Sequence, residues 1–190
     1  MTRLRSFLAV ELPPPMRSKI GDIQDRLRRS RADVRWVAVD RIHLTLVFLG
    51  NIEEEKITDI SAAMESVTAR RRAFTLSVKG LGAFPSTRNP RVIWLGLDSW
   101  KENLLPMQQE IESTLESLGF EPEGKPFRPH LTLGRVKSLK SGEDLVDLME
   151  RDRGIDLGPF GVDRIILFRS DLRPTGPLYT PLAIRELMGG

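Results

Sequence analysis

Apolar positions along this chain recur with two different periods, and segments of the two kinds alternate. From residue 4 to 12 the run through Phe7-Leu8-Ala9-Val10 has the pattern of a buried strand, and Pro13, Pro14 and Pro15 stop it. Met16, Ile20, Ile23 and Leu27 then fall at helical spacing and predict an amphipathic helix over 16–30. A short strand over 34–37 leads to a longer one over 42–49 that ends at Gly50. Ile57, Ile60, Met64 and Val67 put a helix over 52–69, and Phe74 to Val78 reads as a strand. The stretch from Gly80 to Pro90, which holds Gly, Pro, Ser and Asn, reads as a loop. A strand over 92–97, a helix over 101–118 stopped by Gly119, a strand over 129–136, a helix near 143–150 and strands over 160–169 and 178–185 complete the chain.

Five or more strands with intervening helices and short loops indicate an α+β or mixed α/β protein. One six-residue pattern occurs twice, as Arg41-Ile42-His43-Leu44-Thr45-Leu46 and as Arg128-Pro129-His130-Leu131-Thr132-Leu133, 87 positions later (130 minus 43) and in similar surroundings. Two related lobes are therefore expected within a single domain spanning 1–190, since no linker-like stretch separates them.

Composition narrows the class. With 190 residues, 40% hydrophobic and 29% charged, the chain can bury a core of its own. No run of eighteen apolar residues occurs, so no membrane span is expected. Acid interrupts the N-terminal apolar run at Glu11, too soon for a secretory signal, and there is no cysteine, so a cytoplasmic location is the default expectation. The net charge is only +3, yet the isoelectric point near 9.5 and the placing of arginine suggest a polyanionic partner. Basic clusters at Arg26, Arg28, Arg29 and Arg31 and at Arg70, Arg71 and Arg72 read first as solvated helix faces.

His43 and His130 are the only histidines, and both sit in the repeated pattern. On a strand each His shares a face with the Thr two residues on, while the leucines point to the core behind. Two such strands facing a cleft bring two imidazoles and two hydroxyls together. An imidazole titrates near pH 6.5 and both accepts and donates protons at neutral pH. The reaction this suits is in-line displacement at phosphorus, with one His as base toward the attacking oxygen and the other as acid toward the leaving one. Thr45 and Thr132 would hydrogen-bond the non-bridging oxygens. No cofactor is called for. A zinc site is disfavoured, because the close His-Glu-x-x-His pair is absent and no acid lies within either motif. Arg41 and Arg128 have the parity to flank the histidines and steer phosphates.

In these residues the chain resembles the 2H phosphoesterase superfamily, and within it the bacterial and archaeal RNA 2′,3′-cyclic phosphodiesterases historically called 2′-5′ RNA ligases. The resemblance rests on Arg5-Ser6-Phe7-Leu8-Ala9-Val10-Glu11-Leu12-Pro13, on His43-Leu44-Thr45-Leu46-Val47-Phe48-Leu49-Gly50 and on Pro126 to Arg135 around the second motif. The closing Leu167-Phe168-Arg169-Ser170 and Gly176-Pro177-Leu178-Tyr179 also fit it. It implies an α+β, bilobal fold in which two pseudo-symmetric antiparallel sheets flank a central cleft, with helices on the outside. It also implies hydrolysis of an RNA terminal 2′,3′-cyclic phosphate to a 2′-phosphate; with the metal-independent chemistry read above, the expected partner is the cyclic end of tRNA fragments or other oligoribonucleotides, and the expected state is a monomer. His43 would be the proton donor and His130 the proton acceptor. Arg135 would contact the phosphate or the terminal base, and it reaches the cleft only if the strand bends near Gly134.

Aromatic side chains stack on unpaired bases in single-stranded RNA recognition, and Phe7, Phe48 and Phe127 lie near the motif strands. Each is assigned to packing unless its ring is exposed, with Phe7 kept as a candidate substrate contact. Trp94 reads as core and Trp100 as a helix start. Other readings of the same residues are a 2′-5′ RNA ligase running the reverse transesterification, a non-catalytic module that binds RNA ends, and a phosphodiesterase for a small nucleotide.

Overall fold

Prolines open the first helix where they were expected only to end the first strand. In the computed structural model, which describes residues 3–138, 143–174 and 176–189, β1 (Arg3–Glu11) gives way directly to α1 (Pro14–Arg28). Pro14 and Pro15 fill the first helical turn, where a backbone N–H has no intrahelical partner to lose. The remaining elements are β2 (Asp33–Trp36), a one-turn 3₁₀ helix (Val39–Arg41), β3 (His43–Glu53), α2 (Lys56–Thr68), β4 (Phe74–Ser86), β5 (Asn89–Asp98), α3 (Leu104–Glu116), β6 (His130–Ser138), α4 (Glu143–Arg151), β7 (Asp156–Val162), β8 (Arg164–Asp171) and β9 (Leu178–Glu186). Among the described residues no helix is long and apolar enough to cross a membrane.

The strands form two antiparallel sheets. One has the order β3-β1-β8-β9 and the other β2-β6-β5-β4-β7. Leaving aside β2 on the outer side of β6, the second order repeats the first, with the motif strand at one end and an antiparallel neighbour next. β4 comes from the first half of the sequence but lies in the second sheet, and β8 is the converse. The α+β fold with two corresponding sheets is the one the motifs implied.

Helices cover the outer faces. Met16, Ile20, Ile23 and Leu27 of α1 are all buried at the predicted spacing, and α2 and α3 bury Ile60, Met64 and Val67, and Met107, Ile111 and Leu115. Each such side chain contributes about 1.5–3 kcal/mol through burial. They join Leu8, Leu44, Leu46, Leu95, Leu131 and Leu133 in one core cluster. A second, smaller cluster of Phe7, Ala9, Ile166 and Phe168 lies on the opposite face of the first sheet. Alternation along β1 explains it: Leu8 and Val10 face the helices, and Phe7 and Ala9 face the cleft.

Three boundaries depart from the sequence expectation. The stretch from Gly80 to Pro90 is not a loop: β4 runs on to Ser86, only Thr87 and Arg88 connect it to β5, and Gly82 pairs with Trp94 in the ladder. A Cβ on Gly82 would run into the Trp94 ring, so glycine is in the strand because an indole lies across it. β3 continues past Gly50, which takes φ +68, and α2 starts at Lys56 rather than 52. The expected strand over 160–169 is two strands separated at Asp163, whose carbonyl accepts a hydrogen bond from the Leu187 N–H.

Candidate active site

The two histidines are held in the same way. Nδ1–H of His43 donates to the carbonyl oxygen of Arg41 at 2.8 Å, and Nδ1–H of His130 to that of Arg128 at 2.7 Å. A carbonyl only accepts, so each imidazole carries its fixed proton on Nδ1 and keeps Nε2 for exchange. Both residues open their strands, and β3 and β6 approach each other across the two sheets. Thr45 and Thr132 are half-buried on the faces their histidines share.

The walls around the imidazoles are aromatic. Phe7 stacks on His43 with ring centroids 4.8 Å apart, and Tyr179 meets His43 edge-on at 5.1 Å. Phe84 meets His130 edge-on at 5.2 Å and leans on Trp94. Phe7 is only 4% exposed, with its ring also against Phe168, so it supports His43 rather than lying open to a base. Burial holds the His43 pKa below its ordinary value, opposed by the Arg41 carbonyl bond that favours the charged ring. Burial raises the Tyr179 pKa against the fields of Arg41, Arg5 and Arg135. Arg135 belongs to the second sheet and Tyr179 to the first, so these groups face one cleft.

Each motif strand carries an irregularity just after its threonine. Along β3, Thr45 pairs with Ala9 but Val47 with Leu8, and along β6, Thr132 pairs with Trp94 but Gly134 with Ile93. Leu46 and Leu133 are the extra residues, and each bulge reverses the alternation beyond it. Arg135 thereby pairs with Val92 and shares the face of Trp94 and Thr132. The equivalent residue of the first motif is Phe48, which pairs with Phe7 and is 55% exposed. Its ring is exposed, against the packing expectation. Phe127, against Trp100, is a packing residue, whereas Trp94 lies half-buried on the cleft face instead of in the core.

Two glutamines that sequence reasoning passed over hold the bulges from behind. Nε2–H of Gln24 on α1 donates to the carbonyls of Leu133 (2.9 Å) and Val37 (2.8 Å). Nε2–H of Gln108 on α3 reaches the carbonyl of Leu46 at 3.5 Å. Both side chains are buried. Each helix thus supports the motif strand of the other half. The signal in the sequence was a polar residue on an otherwise apolar helix face, which predicts a partner in the core.

The flanking arginines act first through their backbones. Arg41 ends the 3₁₀ turn rather than joining β3, and its guanidinium lies against Gly176. With Glu11, Arg17, His43, Phe168 and Tyr179 it lines a cavity of about 200 Å³. Arg128 is exposed in the segment before β6. The helix clusters are partly neutralised: Arg26 pairs with Asp152, Arg28 with Asp25, and Arg70 and Arg71 with Glu110. Among the described residues no three His, Cys, Asp or Glu side chains lie together as a metal-binding group.

A family model described as LigT-like phosphoesterase matches the chain twice, over residues 10–94 and 95–179. An RNA 2′,3′-cyclic phosphodiesterase of Methanothermobacter thermautotrophicus is 34% identical over 185 residues, which is 97% of this chain and 100% of that one. The Thermotoga maritima protein of the same name is 33% identical, covering 98% of this chain and 97% of its own. Among solved structures, a Thermus thermophilus protein superposes with a TM-score of 0.82 at 30% identity, covering 98% and 99% of the two chains. E. coli LigT complexed with 3′-AMP gives 0.78 at 26% identity with the same coverage.

Proposed function

Because this chain belongs to the LigT-like phosphoesterase family, we propose that its cleft opens the terminal 2′,3′-cyclic phosphate of an RNA and leaves a 2′-phosphate. The observation that supports this reading most is the matched anchoring of His43 and His130, each pinned through Nδ1 with Nε2 left for proton transfer. Nε2 of His130 takes a proton from water as its oxygen bonds to phosphorus, and Nε2–H of His43 gives a proton to the 3′ oxygen as its P–O bond breaks. Thr45 and Thr132 donate to the non-bridging oxygens. Arg135 and the exposed Phe48, equivalent positions of the two motifs, offer a guanidinium and a ring between which the terminal base or its phosphate is received. Arg41 and Arg128 add positive field near the histidines. The working unit is a single domain of two related lobes, acting as a monomer in the cytoplasm.

The test is incubation, in EDTA, with a short RNA ending in a 2′,3′-cyclic phosphate, followed by mapping of the product ends. The parent chain is expected to yield a 2′-phosphate, and His43→Ala and His130→Ala each to slow the reaction on the order of 10²–10⁴-fold. No opening by the parent, or opening that survives both substitutions, overturns the reading. Loss in EDTA restored by a divalent ion overturns its metal-free form.

A further inference from the structure

The bulge that turns Arg135 to the cleft sets it opposite a second arginine. Arg35 of β2 is the register partner of Arg135. Residues directly opposite in an antiparallel pair project from the same face, with Cβ atoms about 4.5–5.5 Å apart. The face is fixed independently: Val34 and Trp36, on either side of Arg35, pack on the core, so Arg35 points the other way. Lys137, two residues further along β6, is the extra residue of another bulge, between Val136 and Ser138. All three side chains are exposed.

Like charges placed directly opposite destabilise a strand pair. Elsewhere this chain compensates such crowding, as where Glu110 sits between Arg70 and Arg71. Among the described residues neither Arg35 nor Arg135 is held in an ion pair. Asp33, two residues before Arg35, is paired in the ladder with Ser138 and bridges to neither arginine. The edge of the cleft therefore carries a cationic row that an anion would relieve. Arg35 also lies at a distance from the chemistry. From His130 to its partner Arg135 is five residues with one bulge, roughly 13–16 Å along the strand, and β2 adds a strand spacing of about 4.8 Å, so Arg35 does not hold the phosphate that the histidines and threonines hold.

We infer that Arg35, with Arg135 and Lys137, forms a track for the backbone phosphates of nucleotides on the 5′ side of the cyclic end, and so selects oligoribonucleotides over cyclic mononucleotides. The inference rests on the phosphodiesterase reading and extends it from the reacting group to the length of the substrate. Backbone phosphates carry no sequence information, so the track favours length and not sequence.

The readout is the ratio of kcat/KM for a short oligoribonucleotide with a 2′,3′-cyclic end to that for a 2′,3′-cyclic mononucleotide. Arg35→Gln is expected to lower this ratio about tenfold, the scale of one lost charged hydrogen bond. Arg151→Gln on the outer helix α4, a charge-matched control, is expected to leave it unchanged. In a His130→Ala background, where binding is read without turnover by fluorescence anisotropy, Arg35→Gln is expected to flatten the dependence of log affinity on log salt by about 0.7. A parallel fall on both substrates would mean that Arg35 only braces the β2–β6 ladder, and an unchanged ratio with an unchanged salt slope would remove it from binding; either overturns the inference. If the parent chain opened neither substrate, the phosphodiesterase reading would fail, while the salt slope would still decide whether Arg35 holds phosphate.

Discussion

At the scale of single residues, the decisive contacts are two hydrogen bonds to main-chain oxygens. The His-x-Thr parity was legible in the sequence because alternation on a strand is a local rule. What the arginine two residues upstream contributes was not, since its carbonyl has no signature in the sequence. The environment of His43 also yields a pH prediction. Its lowered pKa means that in the free protein it loses its charge below pH 6.5 as pH rises. One apparent pKa of the kcat/KM profile, which reports the free enzyme, is therefore expected below pH 6.5. A profile with no limb below pH 6.5 would show that the protonation of His43 does not govern the reaction.

At the scale of elements, the site is shaped by two bulges and by the helices behind them. Straight alternation from His43 and Thr45 would have put Val47 in the cleft and Phe48 in the core. The extra residue at Leu46 reverses that, as the extra residue at Leu133 turns Arg135 inward. Gly134 gave a hint of a bend, but nothing in Val47 did, because a bulge is set by what packs behind the strand. Gln24 is part of that packing. Gln24→Leu leaves the partly buried Val37 carbonyl without this donor and is expected to cost about 1–3 kcal/mol in urea denaturation. Gln108→Leu, which removes a longer bond, is expected to cost less. Losses in the reverse order would mean that the glutamines do not set the bulges. β4 was misread for a related reason: Gly82 looks like part of a loop until Trp94 is laid across it.

At the scale of the whole molecule, the repeated motif announced two halves, but not that they exchange strands. β4 completes the sheet that carries the second motif, and β8 the sheet that carries the first. Neither half then has a sheet of its own to fall back on, and the main core cluster draws on both sheets. The chain is expected to denature in one transition, with tryptophan fluorescence and far-UV circular dichroism tracing the same curve, and a fragment of residues 1–94 to remain unfolded. Two separated transitions would show that the lobes stand alone.

The same exchange has a consequence for how the protein is made. During synthesis β1 has β3 on one side, while its other partner, β8, is among the last elements to leave the ribosome. The nascent chain therefore carries an open strand edge, with Phe7 uncovered beside it, until nearly its whole length has emerged. His43 cannot be seated between Phe7 and Tyr179 before that moment, so an interrupted product is left with an adhesive edge and an unassembled cleft.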